Sequence, residues 1–498
     1  MAGSLSALLH LGLFLLVYFS GGRQDGVDDD DTPITQVVML ETRNADQRDG
    51  VRLPPLQASI PAPDPRASID PRAVQPPTLS LPELDPAPEE AAVIETPPLE
   101  VVAPPVDPLL ATAIELPLPT FVMPQAQVSE LIERIERVAA KKLANAPSAT
   151  ARWTQHGKQY AAEFVLQRAQ SGIEPDRVVA EISAEDRGRR VKTQILLKRV
   201  SFAEFTKIID YWDPMVRLHD DEIVGRMHIN SRFSILSDAR AKPALLGKVS
   251  TAAGSYNMES SGRKRESDVF REGIQTRAGR ISLSEQAYPF ELTPRDADAR
   301  VHEFTADTRI RFLPNGSYWW EDSKPGTSQY RAEPPGSPVY FIAARGVTLY
   351  VQGVVAGKVV VYSPQGIVIE GSLTYANDPR EDPDSADYLG LVSDKDIAIA
   401  YPRVTGPDDL DIHAALFAKR RFAVMNFQHS GSGTLRIFGS LAAGTMTATE
   451  PRYAMRLEHD GRFQHLRPPG FPAMNRFAAE SWDGRWTEVR EQTASGDE

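Results

Sequence analysis

Cysteine is absent from all 498 residues, which excludes disulfides, thiolate metal sites, a cysteine nucleophile and a lipidated amino-terminal cysteine. Positive charge is in short supply: 55 Lys and Arg stand against 67 Asp and Glu, a net charge of −12. The deficit is local, because residues 1–150 hold 10 basic and 21 acidic side chains and leave the remainder close to neutral. Neither part offers the broad basic face that a nucleic-acid partner needs, so none is expected. Enzyme fingerprints are missing too. No Gly-x-Ser-x-Gly, Walker or dinucleotide pattern falls in a fitting context, and His413, His429, His459 and His465 share no paired spacing. The sequence therefore assigns no catalytic residue, metal ligand or cofactor. Long apolar runs are lacking with one exception, residues 5–19, which carry no charged side chain.

At about 15 residues that exception sits at the lower limit for a membrane-crossing helix. Residues 1–22 read as a membrane anchor, with cleavage near Ser20-Gly-Gly22 as the rival outcome. Either outcome sends the rest of the chain out of the cytoplasm, and the expected location is the inner membrane, single-pass, with the bulk periplasmic. Residues 23–124 form an acidic, proline-rich tether, beginning with four aspartates at 28–31. Each proline removes a backbone donor and restricts its predecessor, so a disordered, solvated, polyproline-like segment is expected from 54 to 124. Fully extended at about 3.1 Å per residue, it would reach roughly 200 Å.

Ser6 and His10 lie four residues apart, on one face of a helix, where a polar pair is costly in lipid. With the proline-rich stretch behind it, this Ser-xxx-His anchor resembles that of TonB-type energy transducers. The resemblance implies contact of Ser6 and His10 with ExbB/ExbD-like motor proteins. It covers residues 4–125 and does not extend to a TonB carboxy-terminal domain.

From residue 125 the texture becomes globular. Val128, Leu131, Ile135 and Val138 recur at helical spacing, with Glu130/Arg134 and Glu133/Arg137 supporting the exposed face. Alternation over 151–155, 159–166, 178–183 and 191–199, with His156-Gly157 as a turn, predicts a small antiparallel sheet. Ser201-x-x-Glu204 predicts a capping box that starts a helix through Trp212, with Phe202, Phe205 and Ile209 inward. Residues 125–212 are thus expected to form a small α+β subdomain.

Residues 213–490 are expected to form a β-solenoid-like domain, with a β-sandwich as the alternative, ahead of a disordered tail at 491–498. Short β-branched runs punctuated by glycine cannot bury a core alone and must stack. Val347, Leu349, Val351, Val359, Val361, Ile367 and Ile369 would face inward, and Asn315-Gly316 predicts a hairpin turn between strands projecting from the main sheet. The densest polar cluster is His219, Asp220, Asp221, Glu222, His228 and Asn230; its spacing matches no repeated metal-ligand motif. The step Gly225-Arg-Met-His228-Ile-Asn230-Ser231, followed by the short rungs of 346–399, resembles PilX-like extracytoplasmic proteins associated with type IV pili. That resemblance implies pilus or envelope partners and a structural or interaction role. A β-helical polysaccharide-binding or polysaccharide-cleaving protein is the alternative; it would require Asp394, Asp396, Asp408, Asp409 and Asp411 to converge in one groove. The whole is mainly β.

Overall fold

The computed structural model describes residues 120–489 apart from short internal gaps at 145, 187, 239, 261–264, 284–286, 289, 324–327, 332–335, 430 and 432. The anchor with Ser6 and His10, the tether as far as residue 119 and the tail lie outside the described residues. The last residues assigned to the tether are not disordered, because Thr120–Val122 forms a strand paired with residues 485–487. Among those described, no helix is long and apolar enough to cross a membrane. The chain is mainly β, as its composition of short alternating runs requires.

Strand β1 (Thr120–Val122) leads into helix α1 (Gln125–Lys142), which buries Val128, Leu131, Ile135 and Ala139. The helix lies on an antiparallel meander of β2 (Ser148–Gln155), β3 (Lys158–Gln167), β4 (Arg177–Asp186) and β5 (Arg189–Ser201). Alternation sets the packing: Tyr160, Ala162 and Phe164 of β3 meet Val178, Ala180 and Ile182 of β4 under α1, while the intervening residues face outward. His156 and Gly157 both have positive φ, 51° and 75°, which is the backbone of a two-residue hairpin.

The helix expected over 201–212 is one turn long. The capping box forms, with Ser201 accepting from Ala203 N and Glu204 accepting from Ser201 N, and Phe202, Phe205 and Ile209 are buried. The turn then gives way to strand β6 (Lys207–Ile209), because Lys207-Ile-Ile finds parallel partners on both sides. Tertiary pairing overrides the local helix signal.

The following rungs are β7 (Arg217–Leu218), β8 (Glu222–Val224), β9 (Met227–Ile229), β10 (Ser234–Ser237), β11 (Ala244–Leu245), β12 (Val249–Thr251), β13 (Asn257–Ser260) and β14 (Ile274–Gln275). Strand β15 (Ala287–Tyr288) leaves the stack to pair with a later strand. The stack resumes with β16 (Arg300–Phe304) and β17 (Thr308–Phe312), which is followed by the side strands β18 (Tyr318–Asp322) and β19 (Gln329–Arg331), and continues with β20 (Val339–Ala343), β21 (Thr348–Val355) and β22 (Lys358–Ser363). It ends with β23 (Gly366–Tyr375), β24 (Tyr388–Ser393), β25 (Asp396–Ile399), β26 (Leu410–Val424), β27 (Gly433–Met446) and β28 (Tyr453–His459). The rungs pair in parallel, which is the arrangement of a solenoid and not of an antiparallel sandwich. Val347, Leu349, Val351, Val359, Val361, Ile367 and Ile369 all join the interior, as their spacing requires.

The order of rungs is not the order of the chain. One wall runs β16-β20-β22-β24-β26-β27-β6-β9-β12-β14, so β6, the first rung made, lies in the middle against β27. Residues 276–299 carry the chain from one end back to the other, past nine strand spacings or roughly 43 Å. Their return covers the outside of this wall: Ile281, Leu283 and Phe290 pack with Tyr340, Ile342, Val360 and Val392. Hence β20 is buried on both faces and reads Val-Tyr-Phe-Ile-Ala without a charged residue.

Strand β17 also departs from expectation. It stacks on β21 inside the solenoid, and only β18 and β19 project beyond it as antiparallel partners. Rings from β16, β17, β18 and β20 close this end of the stack: His302, Phe304, Phe312, Tyr318, Trp320 and Phe341 form a chain of ring contacts, each link no longer than 6.2 Å. Burial holds His302 well below its usual range, to about 4. The neutral ring shares a hydrogen bond with the Tyr318 hydroxyl, Nε2 to Oη 2.6 Å. The unfolded chain binds this proton below about pH 6.5 and the folded chain only below about 4, so stability falls as pH drops through that window. The loss is expected to be about 2 kcal/mol, less than full burial would give because the ring keeps some contact with water. His302→Gln, which retains a hydrogen-bonding partner for Tyr318 but no titrating group, should flatten the difference in urea midpoint between about pH 7 and about pH 4.5.

Residues 473–488, placed by sequence within the solenoid-like part, belong instead to the antiparallel sheet. β29 (Ala473–Ala479) pairs with β5 and β15, and β30 (Arg485–Glu488) joins β5 to β1. The boundary expected at 212 likewise moves, because β6 is already a rung.

Candidate functional site

The six polar residues at 219–230 divide into two groups because neighbouring rungs direct them differently. Asp221 precedes inward-facing Ile223 by two residues and points into the solenoid, whereas His228 lies between inward-facing Met227 and Ile229 and points out.

The outward group fastens the return segment. His228 contacts Ser250 Oγ through Nδ1 at 2.8 Å and Asn230 Oδ1 through Nε2 at 2.9 Å. Asn230 accepts from Ile281 N at 2.9 Å and donates to Ile281 O at 2.6 Å, so its amide acts as a strand partner for residue 281. It also donates to Asp210, which Arg280 pairs at 3.0 Å. Burial pushes the His228 pKa down. With both ring nitrogens committed to hydrogen bonds, this pair is an architectural clamp.

The inward group sits where the first rungs meet the last. His219 Nδ1 lies 2.8 Å from Glu450 Oε2, and Glu450 Oε1 accepts from Asp220 N at 3.1 Å. Asp221 accepts from His219 N at 3.2 Å. Arg456 donates to the Asp220 carbonyl and lies 3.9 Å from Glu222. From the opposite wall Lys207, fully buried, extends across the interior until Nζ is 3.7 Å from Met455 Sδ and 5.2 Å from the Trp212 ring. Burial lowers Lys207 to about 8, with the Asp221 charge opposing the shift. Burial raises Asp221, which the Lys207 charge opposes, and raises Glu450, which the Asp221 charge reinforces. Lys207 and Glu450 were not signalled by sequence: one stands alone in an apolar strand, the other is over 200 residues away in the chain.

Outside this junction the same wall carries a charged ladder. Asp411, Arg436, Arg456 and Glu222 occupy matching positions on β26, β27, β28 and β8. Arg436 reaches Asp411 at 3.1 Å and also pairs with Asp409. One step along, Arg380 covers the Phe438 ring at 4.5 Å, donates to Asp378 at 2.9 Å and approaches Glu458 at 3.8 Å. Glu222, Arg380, Asp411, Arg436, Arg456 and Glu458 line a groove of about 180 Å³. The acids required for glycan cleavage do not converge there. Asp394 accepts from Tyr362 at 2.7 Å, Asp396 from Arg420 at 2.8 Å, Asp408 lies in the bend before β26, and Asp409 and Asp411 share Arg436. In the acidic loop, Asp387 accepts from Gly357 N and Asn377 N at 2.5 and 2.8 Å and so holds the backbone. Among the described residues no cluster of three His, Asp or Glu side chains could hold a metal ion.

No protein-family model matches the sequence, and no curated protein matches it. Among solved structures, the competence-associated pilin ComZ from Thermus thermophilus aligns over 74% of this chain and 96% of its own, at 12% identity and a TM-score of 0.31. A likeness at that level carries no argument about fold or activity.

Proposed function

We propose that this chain is a membrane-tethered cell-envelope protein that works by contact, offering its solenoid to pilus-type or other envelope proteins. The support comes from the change of character at residue 120. Before it lie an apolar segment and a proline-rich stretch; from it onward lies a mainly β body whose outer wall carries a charged ladder in strict register. A row of paired charges on a stiff wall suits recognition of a protein surface, where complementary charge sets orientation and partner choice. In this proposal Ser6 and His10 engage an ExbB/ExbD-like motor, and the tether carries its force outward.

The test is co-purification from detergent-solubilised membranes after in vivo cross-linking. The native chain should bring down small membrane proteins of the motor type, and Ser6→Ala with His10→Ala should lose at least about tenfold of that yield, a change of about 1.4 kcal/mol, at unchanged protein level. Equal recovery from both chains removes the motor from the proposal. Recovery of the native chain in the cytosolic fraction removes the tethering as well.

A further inference from the structure

We propose that Lys207 and Asp221 become joined by an intramolecular amide bond across the interior of the solenoid. Lys207 is the one lysine among the buried described residues, and it projects into a core otherwise filled by side chains such as Ile209, Met227, Leu441 and Leu457. Its amine has already crossed that core to the wall that holds Asp221. Leu457 and Ile223 face each other on β28 and β8, so Met455 and Asp221, each two residues earlier, occupy adjacent inward positions one rung apart. Nζ rests 3.7 Å from Met455 Sδ, beside the position of Asp221, and the two groups feel each other's charge across the buried interior. A change of the Lys207 rotamer is the motion the bond requires. Glu450, held by Asp220 N and His219, feels the Asp221 charge and is the acid we assign to relay a proton.

The amine lone pair attacks Cγ of Asp221, forming the C–N bond, and the C–O bond to one carboxyl oxygen breaks. Glu450 takes a proton from Nζ and returns it to the departing hydroxyl, which leaves as water. One amine and one carboxylic acid give one amide and one water, with no change in oxidation state and no further reagent. Burial favours the required neutral forms, since it lowers the amine to about 8 and raises the acid. The apolar surroundings then keep water from reversing the step. The bond would tie β6 to the turn before β8, at the place where the two halves of the stack meet.

Trypsin digestion of the purified full chain under denaturing conditions, followed by mass spectrometry, decides the matter independently of amino-terminal processing. The expected product joins peptide 200–217 to peptide 218–226, with a mass one water below their sum. Linear peptide 208–217 should be absent, because a modified Lys207 is not cleaved. Lys207→Arg or Asp221→Ala should restore separate peptides, and Glu450→Gln should slow linkage by about tenfold or more. Linear 208–217 and 218–226 at their full sequence masses from the native chain would overturn the proposal, whether or not the variants fold.

Discussion

Ending the chain at Pro472 should unfold the α1 and β1–β5 unit while the far end of the solenoid keeps its amide protection. The truncation removes β29 and β30, and with them Phe477 and Trp486, which are 0% and 1% exposed in the core under α1. Losing a large buried aromatic costs about 3–5 kcal/mol each, and the pair approaches the whole stability of an ordinary domain. It also strips both strands from the edge of β5 opposite β4 and leaves β1 without its partner strand. Hydrogen exchange read by mass spectrometry should show α1 and β2–β5 exchanging freely while β20–β24 stay protected. Native protection of β2–β5 in the truncated chain would mean that the carboxy-terminal strands do not complete that sheet.

The second large effect concerns Gly439, in the centre of β27. Its φ is +144°, and a Cβ built there would meet Ala414 O at 2.0 Å and Ala414 C at 2.7 Å, both backbone atoms of the adjoining rung. Neither can retreat without breaking the parallel ladder on that wall. Gly439→Val should therefore cost more than about 4 kcal/mol and leave the protein insoluble or unfolded at ambient temperature. Gly461→Ala supplies the control, because no atom lies within 4 Å of its added Cβ and its φ is not in the left-handed region. That variant should match the native urea midpoint. A soluble Gly439→Val with native cooperativity would contradict the close approach of β26 and β27.

These cases also show which parts of the molecule are legible in its sequence. Helix α1 is visible because Val128, Leu131 and Ile135 repeat at its own period, and the meander because β3 and β4 alternate at theirs. The inward residues Leu349 and Val351 of β21 follow from the same local rule. Strand partners more than 200 residues away have no local signature. That is why β29 and β30 look like further rungs, and why Lys207-Ile-Ile looks like the end of a helix. Within the candidate site, proximity in sequence misleads in the opposite sense. Asp221 stands near His228 and Asn230 in the chain, yet it faces the core while they face the return segment, because alternation along each rung decides which way a side chain points. Glu450, which completes the inward group, arrives only with the last rungs.

The position of β6 between β27 and β9 has a kinetic consequence. A solenoid built in chain order can grow turn by turn from local contacts, but here the central pairing must close a loop of roughly 230 residues before it gains any contact energy. The earliest rungs remain without one neighbour until nearly all of the chain is present. Folding should thus be slow, with few stable halfway states, and refolding rates should respond most to changes at the junction of β6 with β27.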